Sequence, residues 1–266
     1  MTGFGPLMRK SQNTQDRHKL CGHAWQPLIP ALVLLFTWQF LSSAGIIPAY
    51  MLPGPLRVVS AFTGDLSLLM KHLGWTLAEA MSGLAIAIAA SFVLAILLDA
   101  NGFLRRSITP LLLLTQTMPT VAIAPLLILW MGYGSAPKIV LVFLTCFFPM
   151  TIGLLGAFGQ ADIDTLRMLK SMGAKRWQLY AFIKIPQALP AFFSGLKIST
   201  SYSVIAAVIA EWLGGDFGLG VYMIRVRRSY SFDKMFAVIL LTSVLSLLLI
   251  KLVSTIERAA MPWRQK

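Results

Sequence analysis

Apolar residues in this chain come in long blocks, and polar residues gather in the gaps between them. Six blocks approach or exceed the roughly 20 residues that cross a hydrocarbon core as helix. They run Leu28–Ile47, Leu77–Leu98, Ile108–Trp130, Ile139–Phe158, Leu189–Trp212 and Met235–Ile256. The pattern predicts an all-α integral membrane protein with six transmembrane helices, in one domain over residues 27–266. Residues 1–26 are polar with little periodicity and read as a tail. Pro48–Pro55, PAYMLPGP, is rich in proline and reads as an extended loop. No internal repeat or low-complexity tract is evident.

Composition agrees with this pattern. Of 266 residues, 57% are hydrophobic and 12% charged, and the mean hydropathy is +0.73. A soluble domain is nearer a quarter charged. The net charge of +13 would suggest nucleic acid in a soluble chain. Here the basic residues lie mainly in loops, where topology and anionic lipid account for them. With the N-terminus placed in the cytoplasm, inner segments hold twice as many Lys and Arg as outer ones, so both termini are expected inside. The exception is the outer cluster Arg225, Arg227 and Arg228. Cys21 and Cys146 form no framework. His18, His23 and His72 are dispersed in tail and loop without ligand spacing, so no metal site is expected. There is no glycine-lysine loop to cradle a nucleotide phosphate and no acid–base or nucleophile constellation, so the chain is not read as an enzyme and needs no cofactor.

The polar insert Thr165–Pro190, TLRMLKSMGAKRWQLYAFIKIPQALP, carries the most information. Leu166, Leu169 and Met172 recur at helical spacing, and Gly173 tolerates the left-handed conformation that ends a helix. A second helix from about Lys175 presents Trp177, Tyr180 and Ile183 or Lys184 along one side. Pro186 and Pro190 are expected to stop it before the fifth span. Two short helices at an angle would make a knob with aromatic anchors and a basic rim, suited to a groove on a partner. Periodicity equally allows an amphipathic helix lying on the headgroups.

The segment resembles the coupling loop of permease subunits in ATP-binding-cassette importers. Gly173-Ala174, Trp177, Ile183 and Ile185-Pro186 sit where that family places its Gly-Ala pair, apolar positions and proline, while Arg167-Met168-Leu169 stands in place of its Glu-Ala-Ala triplet. The likeness extends along the chain. MLPGP at Met51–Pro55, PLLILWMGYG at Pro125–Gly134 and AEWLGGDFGLG at Ala210–Gly220 are similar to elements of permeases for sulfonates, taurine and nitrate, and Pro262-Trp263 also fits. EWLGG followed by SFDKMFAVIL looks most like the branch importing hydroxymethylpyrimidine, a thiamine precursor. The resemblance implies the importer permease fold in a bacterial inner membrane, with two copies of the chain forming the pathway. It also implies two copies of a separate ATPase subunit gripping a coupling loop at residues 160–187, and an extracytoplasmic binding protein delivering the solute. It assigns the contact with the ATPase to Arg167, Leu169, Met172, Gly173, Ala174, Trp177, Tyr180, Ile183 and Pro186. The departure at Arg167 puts the family's usual acidic contact in question.

Polar groups inside the spans are expensive unless they meet protein or water. Glu79 and Asp99 are read at the ends of the second span, Lys197 and Glu211 in the fifth and Lys251 in the sixth, with both lysines placed to snorkel. Ser199, Ser203 and Glu211 are candidates for the translocation path, with helix packing as the competing reading. Pro119, Pro125 and Pro149 are expected to interrupt the third and fourth spans, and Gly153, Gly156 and Gly159 to allow close helix approach. Two rivals to an importer subunit, a secondary carrier and an intramembrane enzyme, lack the inverted repeats, ion ligands or convergent catalytic groups they would need.

Overall fold

Backbone polar groups in lipid must be satisfied within their own segment, and this chain meets that demand with helices. The computed structural model describes residues 28–44, 48 and 51–265, and no strand occurs among them. The proposed tail at 1–26, with His18, Cys21 and His23, lies outside the described residues, as does the end of the first predicted span at 45–47. The elements are α1 (Leu28–Ser43), α2 (Pro55–Gly64), α3 (Leu66–Ala100), α4 (Gly102–Thr117), α5 (Thr120–Met131), α6 (Ser135–Gly159), α7 (Ile163–Ser171), α8 (Arg176–Trp212), α9 (Leu219–Arg228) and α10 (Phe232–Ala260).

Among the described residues, α3, α6, α8 and α10 are long and apolar enough to span a membrane. The third predicted span is corrected. It is a pair of helices, α4 and α5, bent by 96°. Met118 and Pro119 are extended at the break, because proline disfavours helical geometry in the residue before it. Pro110, Pro125 and Pro149 stay inside their helices, so of the three interruptions expected only Pro119 makes one. Counting the bent pair once gives five spans. The first predicted span is represented by α1, with 16 described residues. It is tied down by the Trp38 indole N–H, which donates to the Pro53 carbonyl at 3.0 Å.

The core lies between α3, α6 and α8. Ala80, Leu84 and Ala87 of α3 meet Val142, Cys146 and Met150 of α6, with Leu196, Val204 and Ala207 of α8 behind them. Small residues let the backbones approach closely, so dispersion contacts accumulate where no hydrophobic effect separates helix from lipid. Between α3 and α6 the approach is close at Gly83, where an added Cβ would sit 2.6 Å from Val142. The expected glycines of α6 do not serve this way. Gly153 and Gly156 face open space, and Gly159 meets only the Arg105 guanidinium. Helices α3, α6, α8 and α10 cross between two ends of the bundle. One end holds α7 and the start of α8, the other holds α9 and the start of α3.

Candidate functional site

The α7 end builds the predicted coupling segment. Asp162 caps α7, its carboxylate accepting from the Thr165 hydroxyl and from the backbone N–H groups of Asp164 at 3.1 Å and Thr165 at 3.3 Å. These bonds, the hydroxyl's foremost, hold its carboxyl below the usual range. The helix ends as expected at Gly173, which has φ +84°, while the Ala174 N–H closes back to the Leu169 carbonyl at 3.0 Å. Lys175 is extended, and its N–H is taken by the Gln178 side chain at 2.7 Å, so a new helix starts at Arg176.

That second helix does not stop at the prolines. It continues as one helix to Trp212, through a π-turn at Tyr180–Lys184. The Ile185 N–H reaches back to the Tyr180 carbonyl, and the wider turn lets Pro186, which has no N–H to offer, enter as the first turn of a new α stretch. The turn also rotates the side chains. Tyr180 was expected on the docking face. It points inward instead, against Phe158 at 5.9 Å between ring centroids, and its hydroxyl donates to Asp99 at 2.6 Å. Lys184 pairs with the same carboxylate, at the end of α3. Leu169 and Ile183 are half-buried. The exposed apolar surface includes Ile163, Met168, Met172, Trp177 and Phe182, of which the sequence reading had assigned only Met172 and Trp177 to the contact. Arg167 is exposed beside Asp164, at 3.8 Å.

The opposite end holds a buried polar network that periodicity did not reveal. His72, read as a loop residue, Glu79, read at a span end, Glu211, read in the fifth span, and Lys138 are all buried. Lys138 on α6 pairs with Glu79 on α3 at 2.9 Å. On α8, Glu211 accepts from the Thr76 hydroxyl at 2.7 Å and from the Gly220 N–H at 2.6 Å. Thr76 in turn accepts the Leu219 N–H at 2.9 Å, and His72 Nδ1 the Gly218 N–H at 3.0 Å. The first N–H groups of α9 are thus satisfied by side chains of α3 and α8, which pins α9 back onto the bundle. Glycine is required in this turn: at Gly218, with φ +125°, a Cβ would meet the Glu211 carboxyl at 2.2 Å, and at Gly220 the Val208 carbonyl at 2.2 Å. The AEWLGGDFGLG stretch singled out in the sequence is this lock.

The residues proposed for the path, Ser199, Ser203 and Glu211, all lie on α8. All three are buried within the chain's own helix packing. The Ser203 hydroxyl donates to the Thr200 carbonyl at 2.8 Å, and the Ser199 carbonyl accepts from Cys146 Sγ at 3.3 Å. Lys197 does not snorkel but pairs with Glu257 of α10. A side-open cavity of about 410 Å³ lies instead on the neighbouring face, between α8 and α10. It is lined by Ser201, Val208, Trp212, Met223, Ser243 and Ser246 among others, and no charged residue lines it. Among the described residues no cluster could hold a metal ion.

Spanning helices, an exposed turn at one end and a locked turn at the other describe a helical membrane protein. The chain belongs to the family of binding-protein-dependent transport system inner membrane components, whose model matches residues 83–261. It is 34% identical to the formylaminopyrimidine transport permease protein ThiX of Halalkalibacterium halodurans, over 91% of this chain and 97% of that protein. It is 29% identical to a putative aliphatic sulfonates transport permease protein, SsuC, of Bacillus subtilis, over 89% of this chain and 86% of that protein. Among solved structures it shares its fold with the inward-facing MetNI methionine ABC transporter, at a TM-score of 0.66 and 19% identity, over 74% of this chain and 97% of that one. The chain is a permease subunit of an ATP-binding-cassette importer and not itself an enzyme. ATP hydrolysis resides in a separate subunit.

Proposed function

We propose that the chain forms, with a second copy of itself, the inner-membrane pathway of an importer for a small neutral heteroaromatic solute of the thiamine pyrimidine-precursor class. An extracytoplasmic binding protein delivers the solute at the α9 end. A pair of ATPase subunits grips the 160–187 segment at the cytoplasmic end, through Met172, Trp177 and the turn at Gly173-Ala174. The carrying observation is the cavity between α8 and α10. An indole, several hydroxyls and no ammonium or guanidinium line it, which suits a flat, uncharged ring that stacks and hydrogen-bonds. A sulfonate or nitrate would favour a cationic lining. The greater identity to the formylaminopyrimidine permease than to the sulfonate permease supports the same side. The cavity is open along one flank, and a second copy would close it.

A strain deleted for this gene and blocked in pyrimidine-precursor synthesis is expected to lose growth on low external aminopyrimidine and to recover with the gene restored. Loss of growth on taurine or an alkanesulfonate as sole sulfur source would reverse the substrate assignment and leave the importer subunit standing. Reporter fusions within 229–231 and after residue 265 are expected to report opposite sides of the membrane. Same-side signals would overturn the orientation.

A further inference from the structure

The coupling segment carries two acidic residues, Asp162 and Asp164, and five basic ones, Arg167, Lys170, Lys175, Arg176 and Lys184. Their local partners are unequal. Asp162 is committed to capping α7, Asp164 sits beside Arg167, and Lys184 is neutralised by Asp99. Lys170 and Arg176 have no ion-pair partner among the described residues. Both line one cleft of about 220 Å³, walled by Asp99 and Ala100 at the end of α3, by Leu166 and Lys170 of α7, and by Arg176, Leu179, Tyr180 and Lys184 of α8. The Tyr180 hydroxyl is already spent on Asp99. The cleft therefore presents two unpaired cations around a space whose own carboxylate is already paired.

We propose that this cleft is a socket for a carboxylate, and that its occupant is an Asp or Glu side chain of the ATPase subunit. The inference rests on the reading that the segment docks on that subunit, and adds the chemistry of the partner's surface: an apolar groove for Trp177 with an acidic residue at its rim. An Arg and a Lys facing one gap match the two oxygens of a carboxylate, the Arg by its planar fork. Because both cations are partly wet, the pair acts more on partner choice and association rate than on total affinity. An ATPase with a neutral or basic rim would leave the two cations unmatched, which selects against it.

The test uses the full-length permease in detergent, titrated with its purified ATPase subunit at low and high salt. Lys170→Gln/Arg176→Gln is expected to weaken binding roughly tenfold at low salt and to flatten the salt dependence. Lys170→Glu/Arg176→Glu is expected to weaken it further, and to be rescued by an Asp/Glu→Lys change at the groove rim of the ATPase. Both cations are exposed, so thermal melting of the variants should match the parent and exclude misfolding. If Trp177→Ala weakens binding while the glutamine double variant keeps parental affinity and salt slope, the socket is wrong and the docking reading survives. If neither variant weakens binding, docking through this segment is wrong as well. If the glutamine variant differs from the parent only in nanodiscs containing phosphatidylglycerol, the occupant is a lipid phosphate and the proposal fails.

Discussion

Lys138 on α6 and Glu79 on α3 meet at 2.9 Å with 6% and 3% of their side chains exposed. A second carboxylate, Glu211, sits beside Glu79. Desolvation makes such a pair weak in net stabilisation but costly to break, since the survivor is left as an unpaired buried charge. Lys138→Met is therefore expected to lower stability by about 3–5 kcal/mol. Adding Glu79→Gln should recover part of that loss, because the direct partner of Lys138 is no longer left charged, while Glu211 keeps its Thr76 and Gly220 donors. Thermal melting of the three variants in one detergent measures the coupling, and simple additivity of the two changes would contradict it.

The lock on α9 depends on glycines whose neighbours differ in their ability to yield. At Gly220 the obstacle to a Cβ is the Val208 backbone carbonyl at 2.2 Å, which cannot move without displacing α8. At Gly218 it is the Glu211 carboxyl, and φ is +125°. Gly218→Ala and Gly220→Ala are each expected to destabilise by more than about 2 kcal/mol, through overpacking joined at Gly218 by backbone strain. Gly64→Ala, with nothing within 4 Å, should be neutral or slightly stabilising. Equal melting temperatures across the three would mean that the turn is not locked.

Cysteine accessibility separates packing from passage on α8. Ser199→Cys and Ser203→Cys point into the helix packing and should resist a small polar thiol reagent. Ser201→Cys, Ser243→Cys and Ser246→Cys line the cavity and should react, at rates that change when ATP is trapped. Reaction at Ser199→Cys or Ser203→Cys matching that at Ser201→Cys would place those two residues on the path as well.

Asp65 joins three elements at the α9 end. It precedes α3, accepts the Tyr222 hydroxyl at 2.6 Å and pairs with Lys234 at 2.7 Å. Those contacts, Lys234's foremost, hold its carboxyl below the ordinary value. A depressed carboxyl stabilises the fold above its unfolded value and loses that contribution as pH falls through the folded value. Melting should therefore show no Asp65 contribution to pH dependence from neutral down to about pH 4, the ordinary carboxylate range. Below that range the parent should lose stability that Asp65→Asn has already lost at neutral pH. Identical acid limbs in the two proteins would show that the ties are not made.

Helical membrane architecture was legible because the length of an apolar block is set by the thickness of the hydrocarbon core, a constraint written along the chain itself. The helix end at Gly173, in the segment proposed for coupling, was legible for a similar reason. Gly173 marks a local backbone requirement, and its φ of +84° is what the residue type predicted. Sequence could not show which way α8 turned its side chains, because one π-turn at Tyr180–Lys184 shifts the phase of everything around it. It made Tyr180 an internal prop and left Trp177 and Phe182 outside. Nor could it pair Lys138 with Glu79, or Glu211 with Thr76 and Gly220. Those partners are far apart along the chain or lie on different elements, and a charge near a span end reads as a cheap interfacial residue until the helix packing takes its water away. Local chemistry and segment length determined what the elements are. Tertiary packing decided which polar groups are buried, and so which residues lock the fold and which line the cavity.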